Sequence, residues 1–349
     1  MNGDPSFAAA CPVPLPPGER VLLGHGSGGR LTHELIDSLF VPAFDAPELA
    51  ALGDAAIVEV DGVRLAFTTD AFVVHPRVFP GSDIGALAVN GTVNDLAMVG
   101  ARPLFLSSAF VLEEGLAMAE LHMITMSMAE AARRAGVRIV TGDTKVVERG
   151  SGDGIFIVTS GVGAVPSGRD LAADRAEPGD VVIASGPVGA HGVAVMSRRA
   201  GIAFDSDVLS DSAPLSALVE AMLAAGPVHC LRDATRGGLA TTLNELAGAS
   251  GVRITIDQTA VPIDGPVRAA CELLGLDPLY LANEGVCVAI VAPHAADAVL
   301  GAMTAHPTGR RAGVIGVVDE GPPGVRLRTG LGVTRPLLML TGDQLPRIC

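Results

Sequence analysis

The sequence is poor in aromatic residues and lacks the cysteine pairs that zinc sites use. Aromatic side chains make up 3% of the 349 residues and tryptophan is absent, although hydrophobic residues reach 49%. A core must therefore be built from Ala, Val, Leu and Ile, which suits closely packed α/β layers. The five cysteines include no CxxC pair, which argues against a zinc site or a disulfide framework and favours a reducing cytoplasm.

Basic charge and long apolar runs are also scarce. The sequence has 24 Lys and Arg residues against 38 Asp and Glu residues, so the formal net charge is −14. Because nucleic-acid affinity depends mainly on phosphate contacts to a basic surface, no nucleic-acid partner is expected. The apolar runs stop short of the ~18 residues that a membrane span needs, so no span is expected. A small anion such as a nucleotide stays compatible with this charge.

The order of strand and helix patterns divides the chain into two α/β units. Residues 1–20 contain several prolines and no basic cluster, which predicts a flexible extension and not a signal peptide. Alternating patterns predict one α/β domain over 21–166 and a second over 167–338. Residues 339–349 have no periodicity and are predicted to form a mobile tail that ends in Cys349.

A glycine-rich segment, residues 24–29 (GHGSGG), is the first candidate for ligand binding. Such a segment exposes consecutive backbone N–H groups, as a phosphate site requires. Its spacing imitates a P-loop, but Arg30 and Leu31 stand where Lys and Ser or Thr are needed, so a Walker site is excluded. Taken alone, a run of this kind is more often an irregular loop than an anion site.

Several aspartates lie in apolar surroundings, at or near the ends of predicted strands and inside one apolar helix. A buried, unpaired carboxylate is costly, so such residues usually bind a cation, cap a helix or pair with Arg. Mg²⁺ prefers oxygen ligands together with substrate phosphates, whereas each Asp alone is more simply explained as a cap. The helical Asp95 is harder to explain as a cap, because Asn90 and Asn94 accompany it. The aspartates concerned are Asp54, Asp70, Asp95 and Asp233.

Three further residues carry side chains suited to chemistry. Lys145 is predicted just past a strand and beside Asp143, where it either neutralises phosphate charge or forms a surface salt bridge. Glu284 precedes an apolar strand and is either a general base with a raised pKa or a cap. Cys349, the last residue of the sequence, is expected to present its thiol freely; an exposed thiol of no consequence is the alternative.

Together these segments resemble the HypE family, the carbamoyl dehydratases that make the cyanide ligand of nickel–iron hydrogenases. The resemblance runs from about Val21 to Cys349, and the cysteine at the end is its most specific feature. The matching segments are residues 24–29, 68–70, 91–98, 141–147, 233–238, 282–285 and 345–349.

The resemblance implies a fold of two α/β domains of the aminoimidazole ribonucleotide synthetase type. It further implies a homodimer in which the N-terminal domains form a β-barrel around which ATP binds. The implied reaction uses ATP and Mg²⁺ to dehydrate a carbamoyl group on Cys349 to a thiocyanate. The implied partners are the carbamoyltransferase HypF, which loads the cysteine, and a HypC/HypD complex, which accepts the cyano group.

The same resemblance implies roles for individual residues. Cys349 is the carrier, Lys145 stabilises charge on the phosphoryl group or the oxyanion, and Glu284 is the base. The implied nucleotide-binding residues are Gly26, Ser27, Gly28, Asp54, Asp70, Asn94, Asp95 and Asp143. The implied Mg²⁺ ligands are Asp54, Asp95 and Asp233.

Two alternatives stay open on the sequence alone. Another ATP-using enzyme of the same superfamily, such as a selenophosphate, aminoimidazole ribonucleotide or thiamine-phosphate enzyme, would act on a free small molecule and have no use for a terminal thiol. A non-catalytic carrier would present Cys349 to partner proteins and would not need Lys145 or Glu284.

Overall fold

The computed structural model describes residues 20–200, 208–340 and 347–349, so almost all of the predicted extension lies outside the described residues. Within these ranges the strands form two large sheets and one short hairpin. In chain order the strands are β1 (Ala56–Val60), β2 (Val63–Phe72), β3 (Val78–Phe79), β4 (Ser82–Asp83), β5 (Arg102–Glu113), β6 (Arg138–Val147), β7 (Ile155–Ala164), β8 (Val181–Ala184), β9 (Val228–Asp233), β10 (Arg253–Asp257), β11 (Cys287–Val291), β12 (Gly313–Asp319), β13 (Gly324–Arg328) and β14 (Thr334–Pro336).

The α-helices lie between these strands and ahead of the first one. Leu23–Gly26, inside the glycine-rich segment, is a 3-10 turn. The α-helices are α1 (Arg30–Leu35), α2 (Val41–Phe44), α3 (Pro47–Ala50), α4 (Ile84–Met98), α5 (Met118–Ala135), α6 (Ala190–Ala200), α7 (Ser216–Ala225), α8 (Gly238–Ser250), α9 (Gly265–Leu274) and α10 (Ala296–Ala305). No helix in the described part of the chain is both long and apolar enough to cross a bilayer.

The first sheet has the strand order β1-β2-β7-β5-β6. Along β7, buried and half-buried residues alternate from Ile155 to Ala164, which is typical of a strand with one face against a core. β5 and β6 are parallel, and the other neighbouring strands are antiparallel. Within the described residues β1 and β6 are the outer strands of an open sheet, so one chain does not close a barrel by itself.

One face of the first sheet is covered by helices and the other is open. α4 packs against β2, β5 and β7, and α5 packs against β6. Side chains that point to the opposite face stay exposed or half-buried, including Phe67, of which 49% is exposed. We call this surface the open sheet face; on β2 and β7 it comprises Phe67, Thr69, Ala71, Phe156 and Val158.

α4 is the central helix and joins the two units. Asp83 caps its N-terminus, because the Asp83 carboxylate accepts hydrogen bonds from two backbone N–H groups of the first turn. Every residue of α4 except Asp95 is buried, as expected of a helix that contacts β2 and β7 on one side and β9 and α7 on the other. Gly91 allows this close packing, because a Cβ there would lie 2.9 Å from the ring of Phe72.

The second sheet has the strand order β14-β13-β10-β12-β8-β11-β9. β11 is buried along its whole length, because apolar cores cover both faces of the sheet at this strand. Val288 and Ile290 pack with α8 on one face, and Ala289 and Val291 pack with α7 and α10 on the other. A continuous apolar run is the pattern expected of such a strand.

The sequence patterns predicted most of these elements and missed some. The apolar pattern predicts a strand over 137–141, but the strand continues to Val147, so Lys145 lies inside β6 and not just past a strand. The elements that the patterns did not predict are β3, β4, β9, β13, β14, α1, α2, α3, α9 and α10. β9 was missed because Val228–Asp233 carries a His and an Arg among its apolar residues, which obscures the strand pattern.

The end of the chain packs into the body of the protein. The backbone N–H of Val73 donates to the Cys349 carbonyl and that of His75 donates to the Arg347 carbonyl, both at 3.1 Å. The last residues thus pair with residues 73–75 in an antiparallel manner. Ile348 and Cys349 join the core beneath α4, and only 9% of Cys349 is exposed. The expectation of a freely presented thiol is therefore wrong for this conformation.

Candidate active site

Three carboxylates from separate parts of the chain meet between the two units. Asp54 precedes β1, Asp95 is on α4, and Asp233 ends β9, and each places an oxygen within 4.8 Å of the others. The sequence predicted these three as metal ligands, and the fold brings them together. We call them the carboxylate cluster.

Asp70 and Thr68, on β2, border the carboxylate cluster. The Thr68 hydroxyl lies 2.9 Å from both Asp95 Oδ2 and the Asp54 carbonyl oxygen, and it donates its single proton to one or the other. Asp70 lies close enough to Asp95 for its charge to raise the pKa of that residue.

Burial and mutual repulsion make the charged forms of these acids unfavourable. Burial, which the Arg232 charge partly offsets, raises the pKa of Asp54 to about 6. Burial, followed by the charges of the other acids, raises the pKa of Asp95 and of Asp233 well above the ordinary range. Burial also raises the pKa of Asp70, although the Arg236 charge opposes this.

Arg232 supplies the positive charge next to the carboxylate cluster. Its Nε atom lies 3.5 Å from Asp54 Oδ1 and 2.7 Å from Glu245 Oε2. Burial disfavours the charged form of Arg232, but the neighbouring carboxylates outweigh burial and raise its pKa. On the far side of Glu245, His33 Nε2 lies 3.1 Å away, and this hydrogen bond raises the pKa of His33. Sequence reasoning missed Arg232 and Glu245, which carry no motif of their own.

The donor set of the carboxylate cluster fits Mg²⁺. Mg²⁺ takes oxygen ligands and usually keeps positions for phosphate and water. Asp233 Oδ2 is buried and has no hydrogen-bond partner within the described residues. A buried carboxylate oxygen without a partner is costly, and a cation would compensate for it.

The glycine-rich segment lies against the residues that follow Asp233. Arg236 donates a hydrogen bond to the Gly26 carbonyl at 2.5 Å, and a Cβ at Gly28 would lie 3.1 Å from Arg236 Cβ. Gly28 has a φ of 74°, which favours glycine. In this conformation the Ser27 N–H donates to the Gly24 carbonyl within the segment, and the Gly28 N–H donates to Thr32 Oγ1 on α1. Those two groups therefore face inward and do not form an open phosphate cradle.

Glu284 is buried beside Asn94 of α4. Only 3% of the residue is exposed, and Oε1 has no hydrogen-bond partner among the described residues. Burial, followed by the charges of Asp233 and Asp211, raises the pKa of Glu284 well above its ordinary value. A raised pKa is the property that distinguishes a general base from a simple cap.

Asn94 links the central helix to the segment that contains Glu284. Its side-chain NH₂ group lies 3.1 Å from the Ala213 carbonyl and 3.4 Å from the Glu284 carbonyl, while Oδ1 accepts from Leu215 N at 2.8 Å. The residue is 1% exposed. Its polar atoms thus connect two backbone segments and do not point to a ligand position in this structure.

Lys145 and Asp143 lie apart from the carboxylate cluster within one chain. Lys145 Nζ is 2.7 Å from Asp143 Oδ2, and both side chains are mostly exposed. In the strand register Lys145 lies opposite Val111, which lies opposite Phe156, so Lys145 shares the open sheet face. The salt bridge expected as the alternative is present, and the chain alone does not bring Lys145 to the acids.

A cavity of about 700 Å³ adjoins the carboxylate cluster. Asp54, Arg232 and Glu245 form its polar side, and Ile57 and Leu171 are among its apolar residues. This volume is within the usual range of small-molecule sites, which are mostly apolar with a few polar groups.

Comparison with known proteins defines the class and then the family. Residues 52–165 match the N-terminal domain model of AIR synthase related proteins, and residues 177–327 match the C-terminal domain model. The chain therefore has the two α/β domains of the aminoimidazole ribonucleotide synthetase superfamily, as expected from the sequence.

Within that superfamily, the chain is 53% identical over 352 aligned residues to carbamoyl dehydratase HypE of Cupriavidus necator, and the alignment covers 100% of both chains. The chain belongs to the HypE family. A solved structure of the hydrogenase maturation protein HypE in complex with ATP matches 95% of this chain and 100% of its own, with a TM-score of 0.80 and 50% identity. A HypE–HypF complex matches 88% of this chain and 99% of its own, with a TM-score of 0.84 and 46% identity.

Proposed function

We propose that this chain uses ATP to dehydrate a carbamoyl group carried on Cys349, so that the thiocyanate formed supplies the cyanide ligand for nickel–iron hydrogenase maturation. The observation that carries the proposal is the packing of the chain end against the segment that contacts Glu284. His191 Nε2 lies 2.8 Å from the Ile348 carbonyl oxygen and His191 Nδ1 lies 2.8 Å from Ser210 Oγ, while the next residue, Asp211, accepts a hydrogen bond from the Glu284 N–H. The relatives named carbamoyl dehydratase and the relative solved with ATP support it.

The chemistry explains why ATP and a base are both needed. Oxide is a poor leaving group, so the carbamoyl oxygen attacks the γ-phosphorus of ATP and ADP leaves. The C–O bond then breaks with its electron pair going to the phosphate, while nitrogen loses both protons and forms the nitrile. In sum, thiocarbamate and ATP give thiocyanate, ADP and phosphate. Glu284 is the base in this proposal, because its buried carboxylate binds a proton more readily than an exposed one.

Asp54, Asp95 and Asp233 would hold Mg²⁺, which neutralises phosphate charge when bound. Asp70, whose charge acts on Asp95, completes this end of the site. The cavity beside Asp54 suits the base and ribose of ATP in size and polarity. Gly26, Ser27 and Gly28 would contact the phosphates after the glycine-rich segment exchanges its internal hydrogen bonds for contacts to phosphate.

Two copies of the chain would complete the site. The open sheet face is apolar and unpaired in one protomer, so two such faces packed together would form the expected dimeric barrel. This assembly would enclose Lys145 and Asp143, and the proposed role of Lys145 in stabilising phosphoryl charge rests on it. In this proposal residues 21–166 bind ATP and dimerise, 167–338 form the C-terminal domain, and 339–349 move as the tail.

The tail delivers its cysteine to two kinds of partner in this proposal. A HypF carbamoyltransferase loads Cys349, as supported by the solved HypE–HypF complex, and a HypC/HypD complex accepts the cyano group. Both steps need Cys349 outside the core, so the tail must be undocked for each of them.

Intact-mass spectrometry of the carbamoylated protein before and after Mg-ATP tests the function. We expect the protein to lose the mass of one water, and we expect no loss in Cys349→Ala or Lys145→Ala. Cys271→Ala, which changes a buried cysteine of α9, is the matched control and should behave as the wild type. Equal ATP turnover in Cys349→Ala and wild type would instead indicate a free small-molecule substrate.

A further inference from the structure

His33, on α1, bridges the glycine-rich segment and the second unit, and no sequence motif draws attention to it. Its Nδ1 atom lies 3.1 Å from the Gly29 carbonyl oxygen, and its Nε2 atom lies 3.1 Å from Glu245 Oε1. Gly29 is the last residue of the glycine-rich segment, and Glu245 belongs to α8. One imidazole ring therefore contacts both sides of this junction.

Glu245 continues this connection to the carboxylate cluster. Its second oxygen, Oε2, lies 2.7 Å from Arg232 Nε, so each carboxylate oxygen faces a different basic group. Arg232 Nε in turn lies 3.5 Å from Asp54 Oδ1. His33, Glu245 and Arg232 thus form a continuous polar chain that begins at the glycine-rich segment and ends at the carboxylate cluster.

Gly29 is also held on its other side. The Arg30 N–H donates to the Leu340 carbonyl at 3.0 Å, and a Cβ at Gly29 would lie 2.6 Å from that same oxygen. A side chain at this position would therefore collide with the backbone, whereas glycine allows the close approach. The position of Gly29 is fixed by the residue that precedes the tail on one side and by His33 on the other.

The residues that would contact phosphate lie between two fixed points. The Gly26 carbonyl accepts a hydrogen bond from Arg236 at 2.5 Å, and the Gly29 carbonyl faces His33. Ser27 and Gly28, whose N–H groups would have to turn towards the phosphates, stand between them. Fixed ends leave fewer residues to be ordered when a ligand binds, and this reduces the entropy lost on binding.

The two neighbours of the His33 ring are both hydrogen-bond acceptors. A carbonyl can only accept, and so can an ionised carboxylate, so only the doubly protonated imidazolium satisfies both. The hydrogen bond to Glu245 raises the pKa of His33 against the effect of burial, and the Gly29 carbonyl acts in the same direction. Above that pKa, one ring nitrogen loses its proton and turns a lone pair towards an acceptor.

Other charged groups around His33 do not change with it. The charges that act on the pKa of His33 are those of Glu245, which raises it, and Arg232, which lowers it. The further charged residues that line the same cavity or share α1 are Glu48, Asp54, Asp174, Arg30 and Glu34. All of these are present both in the wild type and in variants of His33, so their titration cancels when the proteins are compared at the same pH.

We propose that His33 is a positioning residue for ATP: its imidazolium fixes Gly29 to Glu245, so that the glycine-rich segment meets the phosphates with both ends in place. This role rests on the proposed function, in which that segment contacts ATP. Because the contact to both acceptors needs the second proton, its contribution to ATP affinity is present at low pH and is lost as pH rises through the pKa of His33.

The experiment measures the dissociation constant of Mg-ATP for the full-length protein by isothermal titration calorimetry, from about pH 6.5 to about pH 9. In His33→Ala we expect the dissociation constant to be about tenfold higher than in the wild type at the acidic end, because a charged hydrogen bond is lost. The ratio of the two constants should fall towards one at the alkaline end, where His33 is neutral.

His33→Gln keeps an uncharged donor that does not titrate. We expect its dissociation constant to lie between those of the wild type and His33→Ala at the acidic end, and its ratio to that of His33→Ala should not change with pH. In turnover of the carbamoylated protein, the loss should appear in the KM for ATP and leave kcat nearly unchanged.

His229→Gln is the matched control. The His229 side chain is 27% exposed, close to the 29% of His33, and its Nδ1 atom lies 2.8 Å from the carboxylate of Asp180. This variant should bind Mg-ATP as the wild type does at every pH. A double-mutant cycle supplies a second control: in a Glu245→Gln background, His33→Ala should cause no further loss.

Equal dissociation constants for the wild type and His33→Ala at every pH would overturn this role. A loss that is the same at every pH would overturn it as well, because that is the result of a purely structural contact. If His33→Ala does not fold, a ratio of His33→Gln to wild type that stays constant with pH would have the same meaning. If the wild type itself binds no Mg-ATP, the proposed function fails, which differs from the case in which all the proteins bind it equally.

Discussion

At the scale of single residues, the carboxylate cluster holds several acidic groups in a buried position, where their charged forms are costly. Asp54, Asp95 and Asp233 come within 4.8 Å of one another, and Arg232 is the cation that lies close to them. Three carboxylates beside one guanidinium leave an excess of negative charge when all are ionised. The raised pKa values follow from this excess and from burial.

This imbalance predicts how stability depends on pH and on Mg²⁺. A carboxyl whose pKa is higher in the folded than in the unfolded state lowers the free energy of unfolding as pH rises. This loss begins near the ordinary pKa of about 4 and is complete above the raised value. For Asp54 that value is about 6. We therefore expect Mg²⁺ to raise the melting temperature more at pH 8 than at pH 5, because the ionised acids bind the cation.

Asp233→Asn tests this prediction by removing one charge from the carboxylate cluster. The increase in melting temperature caused by Mg²⁺ at pH 8 should shrink to less than half, while the metal-free protein stays as stable or becomes more so. Asp257→Asn, in an exposed pair with Arg328, is the control and should leave the effect of Mg²⁺ unchanged. An unaltered effect of Mg²⁺ in Asp233→Asn would contradict the assignment of Asp233 as a Mg²⁺ ligand.

At the scale of elements, the docked chain end is held by a few polar contacts around an antiparallel pairing. Asp153 Oδ2 accepts a hydrogen bond from Arg347 and lies 3.2 Å from His75 Nδ1. Arg347 also donates to the Val73 carbonyl, and Arg199 donates to the Arg347 carbonyl at 2.8 Å. The Arg347 hydrogen bond lowers the pKa of Asp153, so this carboxylate stays charged at neutral pH.

Asp153→Asn should release the chain end more often. A charged hydrogen bond contributes about 1.5–3 kcal/mol, so alkylation of Cys349 should become at least about tenfold faster. Peptide mass spectrometry after iodoacetamide treatment measures the rate at Cys349 separately from the other cysteines. Asp170→Asn breaks an exposed pair with Arg175 and should leave the rate unchanged. Equal rates in Asp153→Asn and wild type would show that Asp153 does not hold the tail.

At the scale of the whole molecule, the open sheet face is the surface that the single chain leaves without a partner. Phe67 lies on it with 49% of the residue exposed, next to exposed or half-buried neighbours on β7. An exposed apolar surface on an otherwise covered sheet is typical of a subunit interface.

Phe67→Glu should convert the protein from dimer to monomer, because two like charges would face each other across the interface. Analytical ultracentrifugation measures the mass, and ATP turnover should fall by at least about tenfold if Lys145 acts only in the assembly. Leu273→Glu places the same charge on α9 at a residue 70% exposed, and it should change neither mass nor turnover. A monomeric wild type, or a dimeric Phe67→Glu protein with full activity, would contradict the interface.

The sequence patterns predicted much of the architecture. An apolar run predicts a strand over 181–184 and periodicity predicts a helix over 83–99, and the structure has β8 at Val181–Ala184 and α4 at Ile84–Met98. Arg232 and Glu245 were not predicted as site residues, since neither belongs to a motif and each contacts residues that are distant in the chain. Asn94 was predicted to bind nucleotide, and in the structure its side chain is hydrogen-bonded to the backbone at Ala213 and Leu215.

The sequence by itself determined the two-domain class, the family and the acidic residues of the cleft, because local patterns and short motifs depend only on neighbouring residues. Only the tertiary structure decided which acids meet, and that Cys349 is packed inside while Lys145 faces outward. These relations depend on how α4, β9 and the chain end cross in space. Contacts between residues far apart in the chain, such as Asp95 with Asp233 or Val73 with Cys349, leave no periodic signal along it.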